Sequence, residues 1–447
     1  MRCQQLFRLL ECFVAVAVIA AILPIGCSSL HREPSHAVAQ SILDDTRLHD
    51  VVGRAKKMVA TGFTAGEGYG EVWIRDLTTF MELACDVYPA ATVKERLLVF
   101  FHFQGENGNI VDGYIPKAQA SVSYKFIYSD SALDFAAHKN TVETDQESSL
   151  VLGVCRYAVA TGDFAIFNEV IDGETVSARL ARALTYVHTL RFSEEYGLVW
   201  GATTADWGDV QPEHGWGVEF DQNSHRAIDI YDNALYLQAI DEFIRTAPNL
   251  SSKDKEEWRA THRTIAANVR KHLWDASREK FIPHLYLDGS PFPADFDENQ
   301  IYYHGGTAVA IEAGILSEAE VKHALDRMVE NVRAAGASSI GLTMYPPYPA
   351  GYFKNPGMAK PYSYQNGGDW TWFGARMIRQ LVRYGYTEEA YRELMPMVQR
   401  VIDNDGFHEW YALDNSPRGS GQYRGAAGVL YAAIRDLRAW AEHETKQ

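Results

Sequence analysis

The feature that most constrains this chain is a slow alternation of two kinds of helical segment along most of its length. Apolar side chains recur at helical spacing in Asp76 to Ala84, Gln146 to Thr161, Asp229 to Ile244, Thr307 to Leu316, Trp370 to Tyr384 and Arg424 to Glu442. These segments are apolar or small-residue rich, as in Gly425-Ala426-Ala427-Gly428-Val429-Leu430. Between them lie more charged helices: Ser35 to Ala60, Val93 to Phe103, one ending near Leu190, Ser252 to Leu273, one opening on the capping-box pair Ser317 and Glu320, and Thr387 to Ile402. A helix that is apolar all round is buried, and an amphipathic one covers it. Six such pairs predict an all-α chain folded as a single (α/α)6 barrel over residues 35–445. It is interrupted by a small β-hairpin insertion where Phe281 to Leu287 runs into Asp288-Gly289.

Composition narrows the function classes. Hydrophobic residues make up 47% and charged ones 22% of 447 residues, so a large packed core is expected rather than disorder. The net charge of −16 repels phosphate backbones and argues against a nucleic-acid partner. At the N-terminus, Arg2 and Arg8 precede an apolar run from Cys12 to Ile22, too short for a comfortable membrane span. Leu23-Pro24-Ile25-Gly26-Cys27 then resembles a bacterial lipoprotein signal. Residues 1–26 are therefore expected to be a signal peptide, with Cys27 the first mature residue. The protein would be exported, either periplasmic or held to a membrane through lipid on Cys27. An ordinary cleaved signal or an uncleaved anchor are the alternatives. Cys85 and Cys155 show no metal-ligand spacing and read as buried thiols; no metal and no cofactor is expected.

A polar and aromatic loop precedes each apolar helix: Trp73-Ile74-Arg75-Asp76, Glu143-Thr144-Asp145-Gln146-Glu147, Asp206-Trp207-Gly208-Asp209, Tyr303-His304-Gly305-Gly306, Tyr364 to Trp370, and His408-Glu409-Trp410-Tyr411. If the inner helices run parallel, all six loops open at one mouth. Carboxylates, an arginine and indole rings gathered there suit a carbohydrate. Glycosidic cleavage needs two carboxyl groups flanking the anomeric carbon. On chemistry alone the acid could be Asp206, Asp209 or Glu213, and the base Glu409.

Four motifs carry a family resemblance. Tyr69 to Asp76 resembles the Trp-x-Arg-Asp segment of glucoamylases, which implies that Arg75 and Asp76 bind hydroxyls of a terminal sugar. Asp206-Trp207-Gly208-Asp209 is similar to a motif of cellobiose phosphorylases, implying Asp209 as general acid. Tyr364-Gln365-Asn366-Gly367-Gly368 resembles a neutral/alkaline invertase segment. Gly406 to Tyr411 resembles the Glu-Tyr-Tyr region of the invertases and the base region of mannosylglycerate and glucosylglycerate hydrolases, implying Glu409 as general base. The resemblance implies a six-hairpin glycosidase: an inverting, exo-acting hydrolase that releases a terminal α-linked hexose, glucose foremost. Its two carboxyl groups would then stand roughly 6.5–9.5 Å apart.

The expected substrate-binding set is Trp73, Arg75, Asp76, Asp145, Asp206, Trp207, Asn366, Gly367, Trp370 and Trp410. Plainer readings stand beside it. Asp76 suits a helix start, Asp145 and Glu147 read more readily as helix-start or supporting carboxylates, and Asp206 as a loop-orienting group. Gly367 and Gly368 allow a tight turn without any ligand. Residues 105–139 and 209–228 are expected to build the aglycone side, with Trp216 on the rim. The alternatives are a disaccharide phosphorylase, a sugar epimerase using His225 and His304, and a sugar-binding lipoprotein without catalysis.

Overall fold

The computed structural model describes residues 32–120 and 125–446; the signal-peptide segment and Cys27 lie outside them. The charged N-terminal segment is broken at Asp45, whose side chain caps the second piece, giving α1 (Arg32–Asp44) and α2 (Thr46–Val59). The first apolar segment likewise divides at Phe80 into α3 (Ile74–Thr79) and α4 (Met81–Val87). The helices that follow are α5 (Ala90–Phe101), α6 (Gln146–Thr161), α7 (Val176–Leu190), α8 (Ile230–Thr246), α9 (Ser252–His272), α10 (His304–Glu312), α11 (Glu318–Ala335), α12 (Thr371–Arg383), α13 (Thr387–Asp403) and α14 (Arg424–Glu444). The Ser317–Glu320 capping box forms as expected, and Ser251 with Asp254 makes a second one. No described helix is long and apolar enough to cross a membrane.

Packing sorts the helices into two rings. α6 packs on α3, α4 and α8; α8 on α10; α10 on α12; α12 on α14; and α14 back on α3 and α4. The inner ring is thus closed, and this is an (α/α)6 barrel. Inner α6 buries every side chain from Gln146 to Cys155. Outer α9 buries only Ile265 and Val269 and leaves its charges in water. Glycine permits a close inner contact. A Cβ at Gly428 of α14 would collide with the Phe80 backbone, so any larger residue there would wedge the ring apart.

The inner helices run parallel. The C-terminal ends of α6, α8, α10 and α12 line one cavity of about 550 Å³, through Ala160, Thr246, Glu312 and Gln380, together with Glu82 of α4 and Asp436 of α14. Their N-terminal ends, with the loops before them, face the other way.

Short strands brace those loops. Gly113–Pro116 is the centre of a three-stranded antiparallel sheet, with Trp73 opposite Gly113 and Gly113 opposite His138. Only glycine fits there, since a Cβ at Gly113 would sit 2.7 Å from the Trp73 ring. The strand-forming stretch at 281–287 splits between two partners. Lys280–Phe281 closes a small hairpin with Trp274–Asp275, and Leu285–Tyr286 pairs with the strand Arg226–Ile228. Asp288 is then fixed by Arg226, Nε to Oδ2 at 2.8 Å. Cys85 is half-buried and Cys155 buried, both as free thiols.

Candidate active site

At the N-terminal mouth lies a cavity of about 530 Å³. Asp209 and Glu409 both line it, as do Trp73, Arg75, Asp76, Trp207 and Trp370. Residues 200 positions apart are therefore brought to one void. Of the three candidate acids, only Asp209 lines it. Glu213 is paired with His225 at 2.7 Å. Asp206 is buried beneath the loop, with Oδ1 accepting the Gly306 backbone N–H at 2.8 Å.

Glu409 stands on the strand His408–Tyr411, which pairs with Pro417–Gly421. Its Oε1 accepts the Tyr69 hydroxyl at 2.8 Å and its Oε2 the Ser420 N–H at 2.8 Å. Gly419 stays at positive φ directly over this carboxylate, where a Cβ would meet Oε2. Burial raises the Glu409 carboxyl to about 7, against the pull of these two bonds.

Asp209 is presented by a strained turn. Asp206 has φ +58, a left-handed conformation that a side chain resists and that its bonds to the start of α10 hold in place. Asp209 Oδ1 accepts Gln365 Nε2 at 2.6 Å, and its Oδ2 lies 4.0 Å from Arg75 Nη1.

Arg75 is gripped from behind by Glu143 and by Asp145, whose Oδ2 accepts Nε at 2.6 Å. Burial lifts Asp76 to about 6, and a bond from Tyr423 opposes that rise. The floor is aromatic. Trp207 meets Trp370 nearly edge-on at 4.7 Å between ring centroids, and Trp370 Nε1 donates to the Tyr364 carbonyl at 3.0 Å.

Five expected sugar contacts lie elsewhere. Asp206 caps α10. Asp145 is wholly buried, bound by Arg75 and by the Tyr231 hydroxyl at 3.1 Å, and so holds Arg75 from behind the cavity. Asn366 is buried and spends its side chain on the Tyr348 N–H and C=O. Gly367 turns at φ +87 against Pro347 and Tyr362. Trp410 packs outside the cavity against Tyr364, 6.4 Å between centroids. For Asp206, Asp145 and Asn366, backbone or ion-pair needs claim the side chain before a ligand can.

The structure adds residues that sequence reasoning did not single out. Tyr69, Tyr423 and Gln365 line the void, the last beside the quoted Asn-Gly-Gly run. Asp112, His138, Lys139 and Asn140 enter from the 105–140 region, carried to Trp73 by the three-stranded sheet. Burial raises Asp112 to about 7 and lowers His138 to about 4, so that ring is neutral near pH 7. Val210, Trp216, Val218 and Glu219 come from the 209–228 loop. Both loops expected on the aglycone side therefore reach the cavity. Among the described residues, no group of three or more His, Cys, Asp or Glu is placed to hold a metal ion.

This geometry coincides with family and fold comparisons. The family model described as the glycosyl hydrolase 94 superfamily, catalytic domain, matches residues 46–402, a span that includes Asp209 and stops short of Glu409. A mannosylglycerate hydrolase from Thermus thermophilus in complex with glucose superposes with a TM-score of 0.60 at 14% identity, covering 86% of this chain and 99% of that one. A rhamnosidase from Klebsiella oxytoca with rhamnose bound gives 0.57 at 14% identity, over 87% of this chain and 63% of that one. At such identity these likenesses speak for the barrel alone. No curated protein sequence matches this one.

Proposed function

This chain belongs to the glycosyl hydrolase 94 superfamily and is a glycosidase, and on that premise we propose that it is an exported, inverting exo-hydrolase releasing a terminal α-linked hexose, glucose foremost. Asp209 is its general acid and Glu409 its general base. The observation that carries this reading is that these two carboxyl groups, one before α8 and one before α14, line a single cavity floored by indole rings.

The reaction is a single displacement. Glu409, oriented by Tyr69 and Ser420, takes a proton from a water that attacks the anomeric carbon. Asp209 gives its proton to the departing glycosidic oxygen, and the configuration inverts. With Oδ1 held by Gln365, Oδ2 is the oxygen that carries this proton. Arg75 and Asp76 give directional hydrogen bonds to the hydroxyls of the terminal sugar. A base poised near pH 7 suits proton abstraction at neutral pH.

Other reactions find less support. Phosphorolysis needs cations for a phosphate dianion, yet Arg75 and Lys139 at the cavity are already engaged by carboxylates. Epimerisation through His225 and His304 lacks its groups. His225 is bound by Glu213, and His304 is buried with Nε2 3.0 Å from Asn331 Nδ2. Neither ring lines the cavity.

The test is a panel of α- and β-glycosides followed by NMR of the first-formed anomer, with and without phosphate. Phosphate-independent release of the inverted hexose supports the reading. A retained anomer, or a strict need for phosphate, overturns it. Export is tested separately by fractionation of cells and by mass analysis of the mature N-terminus.

A further inference from the structure

A separate cavity of about 520 Å³ opens where the hairpin of Trp274–Asp275 and Lys280–Phe281 meets α11. It shares no lining residue with the cavity that holds Asp209 and Glu409. Its charge sets it apart. In a chain of net charge −16, three basic side chains line it, Arg278, Lys280 and Arg327, with His323 beside them, against one carboxylate, Glu279.

Lys280 is only 6% exposed. Its Nζ donates to two carbonyls, Ile301 O at 2.6 Å and Phe281 O at 3.1 Å, which leaves one of its three hydrogens unused. The acids near it are engaged elsewhere. Asp275 stands opposite Lys280 in the hairpin, but its side chain accepts from Ser277 and Asn299. Glu298 is held by His284, Tyr286 and Tyr348. Burial first, and then Arg278, push the Lys280 ammonium down to about 8, more than Asp275, Asp297 and Glu298 offset. A buried cation left short of counter-charge costs free energy that an anion in the cavity would recover.

The groups around Lys280 have donors to spare as well. Arg278 gives a hydrogen bond to Asn299 O at 3.2 Å, while Asp297 stands 3.9 Å away. Arg327 has Glu330 at 3.7 Å, beyond hydrogen-bond reach. His323 Nδ1 lies 3.5 Å from Glu279, and its Nε2 is buried without a partner. These donors come from two elements, the hairpin turn and α11. A tetrahedral oxyanion can receive bonds on several sides, whereas a planar carboxylate is matched by a single guanidinium fork.

We propose that this cavity is a binding site for a phosphate group, free or as a monoester, held by Lys280, Arg278, Arg327 and His323. The site is independent of what the other cavity does. Calorimetry on the full protein at pH 7 and low salt, with inorganic phosphate and with glycerol 3-phosphate, tests it. Saturable binding of one equivalent is expected, and the tighter of the two ligands identifies the source of the phosphate. Lys280→Met should weaken binding at least about ten-fold, and Arg327→Gln several-fold. Glu279→Gln removes the one lining carboxylate and should tighten binding several-fold, a gain that misfolding cannot imitate. The side chains of Arg327 and Glu279 are 44% and 55% exposed, so these two variants decide the matter even if Lys280→Met melts early. Binding of neither phosphate overturns the proposal. So does binding that either Arg327→Gln or Glu279→Gln leaves unchanged, since the ion then sits elsewhere. Acetate that binds as tightly as phosphate also overturns it.

Discussion

Tyr69 donates its hydroxyl hydrogen to Oε1 of Glu409 at 2.8 Å, across 340 positions of sequence. The segment that enters the first inner helix thereby braces a carboxylate delivered just before the last one. Burial pushes Glu409 up to about 7, while this bond favours its charged form. The two opposing effects set the pH at which this proposed base is ready.

A base must be ionised to act. Glu409, raised from the ordinary 4.5 to about 7, loses its charge as pH falls through that value, so kcat/KM should drop about ten-fold per unit below pH 7. Tyr69→Phe removes a bond to the charged form worth about 1.5–3 kcal/mol. It should move this limb upward by about one to two units, at about 1.4 kcal/mol per unit. Rate profiles of both proteins check this. A rate that instead falls as pH rises through 7 would assign Glu409 the acid's role.

Asp209 and Asp206 sit three residues apart and should respond differently. Asp209→Asn removes proton donation and should cost on the order of 10²-fold or more on alkyl glycosides. It should cost far less on glycosyl fluorides, which leave without protonation. Asp206→Asn keeps an acceptor for the Gly306 N–H and should leave kcat/KM within a few-fold. Asp206→Ala should instead lower stability by about 1–2 kcal/mol, as lost helix caps do. Steady-state rates and thermal melts separate the two behaviours.

The barrel was legible because inner and outer helices differ in composition. An apolar segment such as Gly425 to Leu430 can only be interior, and Lys253 to Glu257 can only face water. The mouth was legible as a set of loops, since each precedes an inner helix. Which side chain in a loop meets the cavity was not. Asp206 and Asp209 look alike in sequence, and only the left-handed backbone at Asp206 turns one inward to a helix end and the other to the void. Asn366 offered no sign that the Tyr348 backbone would consume it. Asp112 and His138 carry no motif. They reach Trp73 through a register set by a three-stranded sheet, and long-range strand pairing is not written in any local pattern.

Asp112 gives a prediction for stability. Its carboxyl is raised from 3.8 to about 7 by burial, so the folded state holds that proton more tightly than the unfolded chain does. The resulting stabilisation is complete below about pH 4 and is lost as pH rises through 7. Asp112→Asn removes the buried charge without changing shape. Its gain in Tm over the parent protein should be small at pH 5 and larger at pH 8, equivalent to on the order of 1–3 kcal/mol. A gain that is the same at both pH values would show that burial of the charge is not the cause.

Arg75 offers the most severe change. Glu143 and Asp145 are both buried and both lean on its guanidinium. Arg75→Gln strands two carboxylates away from water, and breaking a buried pair from one side costs about 3–5 kcal/mol. The single variant should therefore melt well below the parent protein, with the loss greatest at high pH, where the stranded acids are charged. Adding Asp145→Asn removes one stranded charge and should restore part of that loss, although Asp145→Asn alone is destabilising because it leaves Arg75 short of a partner. Such a coupling, of about 0.5–3 kcal/mol in a double-mutant cycle, identifies Asp145 as a residue that positions Arg75. Activity should not return with stability if Arg75 binds sugar hydroxyls as proposed, because its guanidinium is still missing; recovery of both in the double variant would mean that Arg75 serves the fold alone.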